Sequence, residues 1–192
     1  MAIKNKTKYA ILGVLCLKPC SGYDIKKFCD KTISHYWSEN FGHIYPVLKQ
    51  LQEEHFIQPS EDKASAKRNV FQITDEGKRE FVEWLMLPPE IQSPRSELML
   101  KLSFGNYIAI EHVIAMLGEV KDRNIRNLAY YRELEGSYLT NDAAKKDPAF
   151  PYWLAPLRHG ILTSEVNIRW CEETVQNIKQ YAPSNLEEDA YV

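Results

Sequence analysis

The first 86 residues alternate apolar and polar positions at helical spacing, interrupted once by two shorter runs of strand-like composition. Residues 6–17 are apolar at Ala10, Ile11, Val14, Leu15 and Leu17, which predicts a buried helix ended by Lys18-Pro19-Cys20. Ser21-Gly22-Tyr23-Asp24 reads as a capping-box start, with Asp24 where Glu is usual. The helix it opens presents Ile25, Phe28, Cys29, Ile33, Tyr36 and Trp37 at steps of three and four. Asn40 and Gly42 break that pattern. A third helix over 43–54 follows, with Ile44, Val47, Leu48 and Leu51 on one inward face and His43, Tyr45, Lys49 and Gln52 on the other. Pro46 is expected in its first turn, where a missing N–H costs little. Phe56–Pro59 and Asn69–Ile73 then predict a β-hairpin, its long polar tip carrying Lys63, Lys67 and Arg68. Thr74 or Asp75 caps a fourth helix with Phe81, Val82, Trp84 and Leu85 as its apolar surface.

Three prolines within residues 88–94 cannot continue a helix, so the chain is divided here into segments 1–87 and 88–192. In the second segment, a short helix beginning at Ser93-Pro94 carries Leu98, Met99 and Leu102. A long one over 110–139 has a stripe of Val113, Leu117, Val120, Leu128, Tyr131 and Tyr138, which Asn124 and Glu135 interrupt. In the last helix Leu157, Ile161, Ser164, Ile168, Cys171, Val175 and Ile178 keep a heptad spacing. A second stripe holds Leu154, Leu162, Val166 and Trp170. A helix apolar on two faces must bury both, one against its own chain and one against a second copy. The heptad residues Leu157, Ile161, Ile168, Cys171, Val175 and Ile178 are assigned to dimerisation, with a helical hairpin inside a monomer as the alternative.

Three helices followed by a hairpin is the order of a winged helix-turn-helix. There the third helix lies in the major groove and needs one apolar and one polar face. The wing reaches the flanking backbone or minor groove, where Lys and Arg serve. The predicted fold is therefore mainly α with a small β-hairpin wing, followed by an antiparallel helical dimerisation domain. The candidate DNA contacts are His43, Tyr45, Pro46, Lys49 and Gln52 in the third helix and Lys63, Lys67 and Arg68 in the wing. A winged helix serving only protein–protein contact is the alternative, against which a basic wing tip argues.

Four stretches in order carry a resemblance to the PadR family of bacterial regulators: Tyr9–Leu15, Ser21–Ile25, Ile44–Leu51 and Ile73–Gly77. The helical second segment resembles the longer PadR subfamily. The resemblance implies a homodimeric regulator, usually a repressor, bound to double-stranded DNA at a palindromic operator, with Tyr45 and Pro46 in the reading helix. It also implies release by a small, often aromatic, molecule such as a phenolic acid. The aromatic run Asp147–Trp153 and nearby cations suggest an effector pocket near the junction of the two segments, for which Arg95, Phe104, Trp153 and His159 are the candidates.

Charge adds a little. Segment 1–86 carries 13 Lys+Arg against 11 Asp+Glu, a net of +2, within a chain of formal charge −2; the sign suits a phosphate-facing first half. Catalysis is not expected: there is no nucleophile elbow, phosphate loop or H-E-x-x-H, and the five histidines are scattered. Cys16, Cys20, Cys29 and Cys171 form no metal-site spacing and read as thiols of a reducing compartment, so neither metal nor cofactor is expected. No apolar run approaches the roughly 18 residues of a membrane span, and no leader-like segment opens the chain, so a cytoplasmic location is expected.

Overall fold

A computed structural model describes residues 6–34, 36–37, 39–60, 69–90 and 95–181. The chain divides into two compact units, residues 1–92 and 93–192.

In the N-terminal unit, α1 (Thr7–Leu17) buries Ile11, Leu12, Val14 and Leu15 at the centre of the core. Ser21 closes a full capping box on α2 (Gly22–Thr32): its Oγ accepts from the Asp24 N–H at 3.2 Å, and Asp24 Oδ2 accepts from the Ser21 N–H at 3.2 Å. The helix stops at Thr32, five residues before the apolar periodicity ends. Ile33 still packs on the core from the following turn, whereas Tyr36 is exposed. Helix α3 (Phe41–Glu53) starts two residues earlier than its periodicity implied, because the Asn40 side chain accepts from the His43 N–H at 3.0 Å and caps it. Gly42 thus belongs to the first turn rather than to a break, and Pro46 lies one turn deeper than expected. Ile44, Val47, Leu48 and Leu51 are buried.

The C-terminus of α3 is a Schellman turn. The Phe56 N–H donates to the Leu51 carbonyl at 2.9 Å and the His55 N–H to the Gln52 carbonyl at 3.1 Å. His55 takes the left-handed conformation this requires, with φ 60°. Strands β2 (Ile57–Pro59) and β3 (Val70–Ile73) pair antiparallel, Ile57 opposite Ile73. A third strand that the pattern did not reveal, β1 (Cys20–Ser21), pairs with the other edge of β3, giving the order β1-β3-β2. Two residues carry no alternation to read. The wing tip, and with it Lys63, Lys67 and Arg68, lies outside the described residues. Thr74 is the cap of α4 (Asp75–Met86): its Oγ accepts from the Gly77 N–H at 3.0 Å and donates to the His55 carbonyl at 2.8 Å. A Cβ on Gly77 would stand 2.1 Å from the Phe56 carbonyl oxygen, so the helix meets the strand entry there only because it is glycine.

The C-terminal unit begins with α5 (Glu97–Ser103), capped by Ser96 rather than starting at Ser93-Pro94. A 3-10 turn (Gly105–Tyr107), α6 (Ile110–Thr140), the single turn α7 (Asp142–Lys145) and α8 (Phe150–Tyr181) follow. Helices α6 and α8 form one long antiparallel hairpin. At one end Val113 and Leu117 pack on Cys171, flanked by Leu102, Val175 and Ile178; at the other, Tyr131 packs on Leu157 and Ile161. The α8 heptad, assigned above to dimerisation, packs within its own chain. Leu157, Ile161, Cys171, Val175 and Ile178 are spent on α6 of their own chain, and Ile168 continues the same face, half-buried. The short connection through α7 turns α8 back along α6 of the same chain, so the seam is filled within that chain. The opposite face of α8 keeps Leu162 and Val166 exposed, at 60% and 64%. The polar interruption at Asn124 is answered across the hairpin by Asn167, whose Nδ2 donates to Asn124 Oδ1 at 3.2 Å. That at Glu135 is answered by an ion pair with Arg158. Among the described residues no helix is long and apolar enough to cross a membrane.

Candidate nucleic-acid interface

The outward face of α3 is built by its inward one. With Ile44, Val47, Leu48 and Leu51 anchored in the core, the helical repeat turns Tyr45, Lys49 and Gln52 to solvent, with His43 and Pro46 beside them. All five candidate residues of the helix are exposed. Lys49 stands 3.8 Å from Glu53 across one turn, a loose pair between two largely solvated groups that leaves the ammonium available to another anion.

Phe41 begins the same stripe one turn before Tyr45, and Tyr23 of α2 completes a line of three aromatic rings. Tyr23 and Phe41 lie 6.4 Å apart between centroids at 11°, and Phe41 and Tyr45 lie 6.0 Å apart at 23°. All three are exposed, at 60%, 44% and 53% in chain order. The Lys26 Nζ sits 5.7 Å from the Phe41 centroid. The far edge of the Tyr45 ring rests on Gly22, where an added Cβ would come within 2.9 Å of Cε1. The sequence pattern singles out neither Tyr23 nor Phe41. The i, i+4 pair Phe41/Tyr45 is the signal that could have found the second.

Behind the N-terminus of α3 a carboxylate is buried. Glu39, 5% exposed, accepts from the Trp37 indole N–H through one oxygen and from the Thr7 hydroxyl through the other at 3.2 Å. His43 Nδ1 is 3.9 Å from that second oxygen. One buried acid therefore ties α1, the loop after α2 and the first turn of α3 together. No residue spacing announced it.

The N-terminal unit also holds an aromatic-walled cavity of about 600 Å³, lined among others by Tyr9, Phe28, Trp37, Phe81 and Trp84. Tyr9 stacks on Trp84 at 4.2 Å and donates its hydroxyl to Glu80 at 3.1 Å. Burial and that hydrogen bond push the phenol up from its ordinary value, so it stays neutral. A second, shallower groove of about 790 Å³ in the C-terminal unit is lined by Leu100, Lys101, Phe104, His112 and Met116. Of the four effector candidates only Phe104 lines it. Phe104 lies at the Val113 end of the α6–α8 hairpin, and Trp153 and His159 lie toward the Tyr131 end, roughly 30 Å away along the helices. Arg95 is exposed ahead of α5. The proposed cluster is therefore not one site within a chain: neighbours in sequence across a helical hairpin are far apart unless they flank the turn. Among the described residues no cluster of His, Cys, Asp and Glu is placed to hold a metal.

Comparison with known proteins places both units. The family model described as "Transcriptional regulator PadR-like family" matches residues 11–83, and that described as "Virulence activator alpha C-term" matches residues 94–179. The negative transcriptional regulator PadR of Bacillus subtilis is 32% identical over 134 residues, covering 68% of this chain and 72% of the relative. The crystal structure of Bacillus subtilis PadR in complex with operator DNA superposes with a TM-score of 0.71 at 29% identity, covering 89% of this chain and 98% of that one. The structure of the same regulator in complex with p-coumaric acid superposes with a TM-score of 0.74 at 24% identity, over 93% and 99% of the two chains.

Proposed function

The chain belongs to the PadR-like family of transcriptional regulators, and we propose that it acts in the cytoplasm as a repressor, bound as a homodimer to a palindromic operator. The observation that carries the reading is α3 itself: four fully anchored apolar residues hold it to the core, and Tyr45, Lys49 and Gln52 stand exposed along it beside the root of a wing. A helix so held fits the major groove, which is about 12 Å wide. The unit before the proline-rich segment at 88–94 reads the duplex and the one after it pairs. Two copies then present two reading helices to half-sites one helical turn, about 34 Å, or a multiple of it apart. The pairing surface is the outward face of α8, where Leu162 and Val166 are exposed opposite the seam that α6 occupies.

The relative's name as a negative regulator, and the operator DNA and p-coumaric acid in complex with it, support repression and release by a small aromatic acid. The aromatic cavity of the N-terminal unit is the place we assign to such an effector. Its wall residue Trp37 hydrogen-bonds Glu39, which sits directly before the cap of α3, so a ligand that moves the indole also moves the start of the reading helix.

Gel shift of the purified chain on the DNA upstream of its own gene, with unrelated DNA as competitor and a salt series, tests the reading. Specific retardation that weakens steeply with salt is expected from phosphate contact. A winged helix devoted to protein contact would give no specific band at any salt concentration.

A further inference from the structure

We infer that the exposed rings of Phe41, Tyr45 and Tyr23 form an apolar shelf that reads thymine through its 5-methyl group. The inference rests on the proposed DNA-reading role of α3 and specifies what one edge of that helix recognises. A helix lying in the major groove meets hydrogen-bond donors, hydrogen-bond acceptors and only one apolar group on the base edges, the C5-methyl of thymine. Polar side chains match the former. The ring faces match the latter, and Phe41 has no polar group to offer the former.

The geometry makes the shelf a preformed surface. Phe41 is the first residue of α3, and the N-terminal residues of a recognition helix are those that reach base edges. Tyr45 follows one turn later on the same stripe, and Tyr23 extends the line onto α2, with successive planes within 11° and 23°. The Tyr45 ring is seated against Gly22, and its neighbour Phe41 has Lys26 over its face, so the rings stand side by side before any duplex arrives. All three rings remain largely open to solvent within the described residues. Lys27 and the loosely paired Lys49 stand exposed on the same two helices, where a phosphate-lined groove would meet them, while Lys26 is held by Asp30.

The test removes the methyl and nothing else. The full chain is used to select a duplex from a random pool, and each thymine of the selected sequence is then replaced in turn by deoxyuridine. At one thymine or more in each half-site the wild-type affinity is expected to fall about fourfold, the worth of one buried methyl group. Substitution in both half-sites of a dimer's operator is expected to cost about fifteenfold. Phe41→Ala, checked for an unchanged circular dichroism melt, is expected to bind the thymine and uracil duplexes alike. If the wild type binds the selected duplex but no uracil substitution changes its affinity, the methyl-reading shelf is wrong while the DNA-reading role stands. The shelf is equally wrong if Phe41→Ala keeps the full thymine preference. If no duplex is enriched at all, the DNA-reading role fails and takes the shelf with it. The uracil series on the wild type needs no variant, so a Phe41 substitution that misfolds does not blunt the test.

Discussion

Single residues hold the reading face in place, and the two glycines at its borders do so by what they lack. At Gly77 an added methyl would overlap the backbone carbonyl of Phe56, which cannot swing aside. Gly77→Ala is expected to destabilise the N-terminal unit by about 3–4 kcal/mol in urea unfolding. At Gly22 the nearest obstacle is the end of the Tyr45 ring, which can rotate away, and the next is the tip of Leu48 at 3.1 Å, which need give only slightly. Gly22→Ala should therefore cost little stability and show its effect in operator affinity instead. His55 is the reverse case, a side chain in a left-handed conformation that glycine adopts without strain. His55→Gly is expected to raise stability by about 0.5–1 kcal/mol, read from the denaturation midpoint. The cysteines sort by burial. Cys29 is enclosed by the core, and desolvation, with the nearby charges of Glu39 and Asp30, pushes its thiol up to about 11. At pH 8 it is almost wholly protonated and unreactive. Iodoacetamide on the folded protein, followed by mass spectrometry, should label exposed Cys16 well before Cys20, Cys29 or Cys171.

At the scale of elements, periodicity and capping chemistry located the helices well, and their failures share a cause. The Ser21 and Thr74 caps were readable because a cap is a local bargain between one side chain and one nearby N–H. The end of α2 was not, because Ile33 continues an apolar rhythm after the backbone has left the helix. Strand β1 was invisible because two residues have no period, and its pairing depends on β3, fifty residues away. The α8 seam was legible as a heptad, but a heptad does not name its partner. Only the fold reveals that α6 fills it, and that Asn124 and Asn167 meet across it. Of the interface, Tyr45, Lys49 and Gln52 followed from the outward side of one helix, while Tyr23 and Glu39 joined the site through tertiary packing. A substitution in the seam should accordingly act on the hairpin itself. Leu117→Ala, at a fully buried position, is expected to destabilise the C-terminal unit by about 2–4 kcal/mol in urea unfolding.

For the whole molecule, the proposed dimer would make assembly and folding separable, because pairing would use the face of α8 opposite the one that α6 fills. Leu162→Glu together with Val166→Glu should leave helicity unchanged and halve the mass seen by light scattering, with operator affinity falling as the second half-site is lost. A charged residue at Ile161 should instead melt the hairpin. Strand β1 joins two parts of the N-terminal unit. The strand makes Ser21 at once the edge partner of Val70 at the wing root and the cap of the helix that supports α3. The root of the wing and the start of α2 are thereby joined at one residue, and on the proposed reading the groove contact and the flanking contact spring from that common base. A duplex held at both contacts would have to bend to meet them. On the proposed reading, then, operators would be ranked partly by base steps that no side chain touches, and the pliant pyrimidine–purine steps between the two contacts should outbind stiff A-tracts.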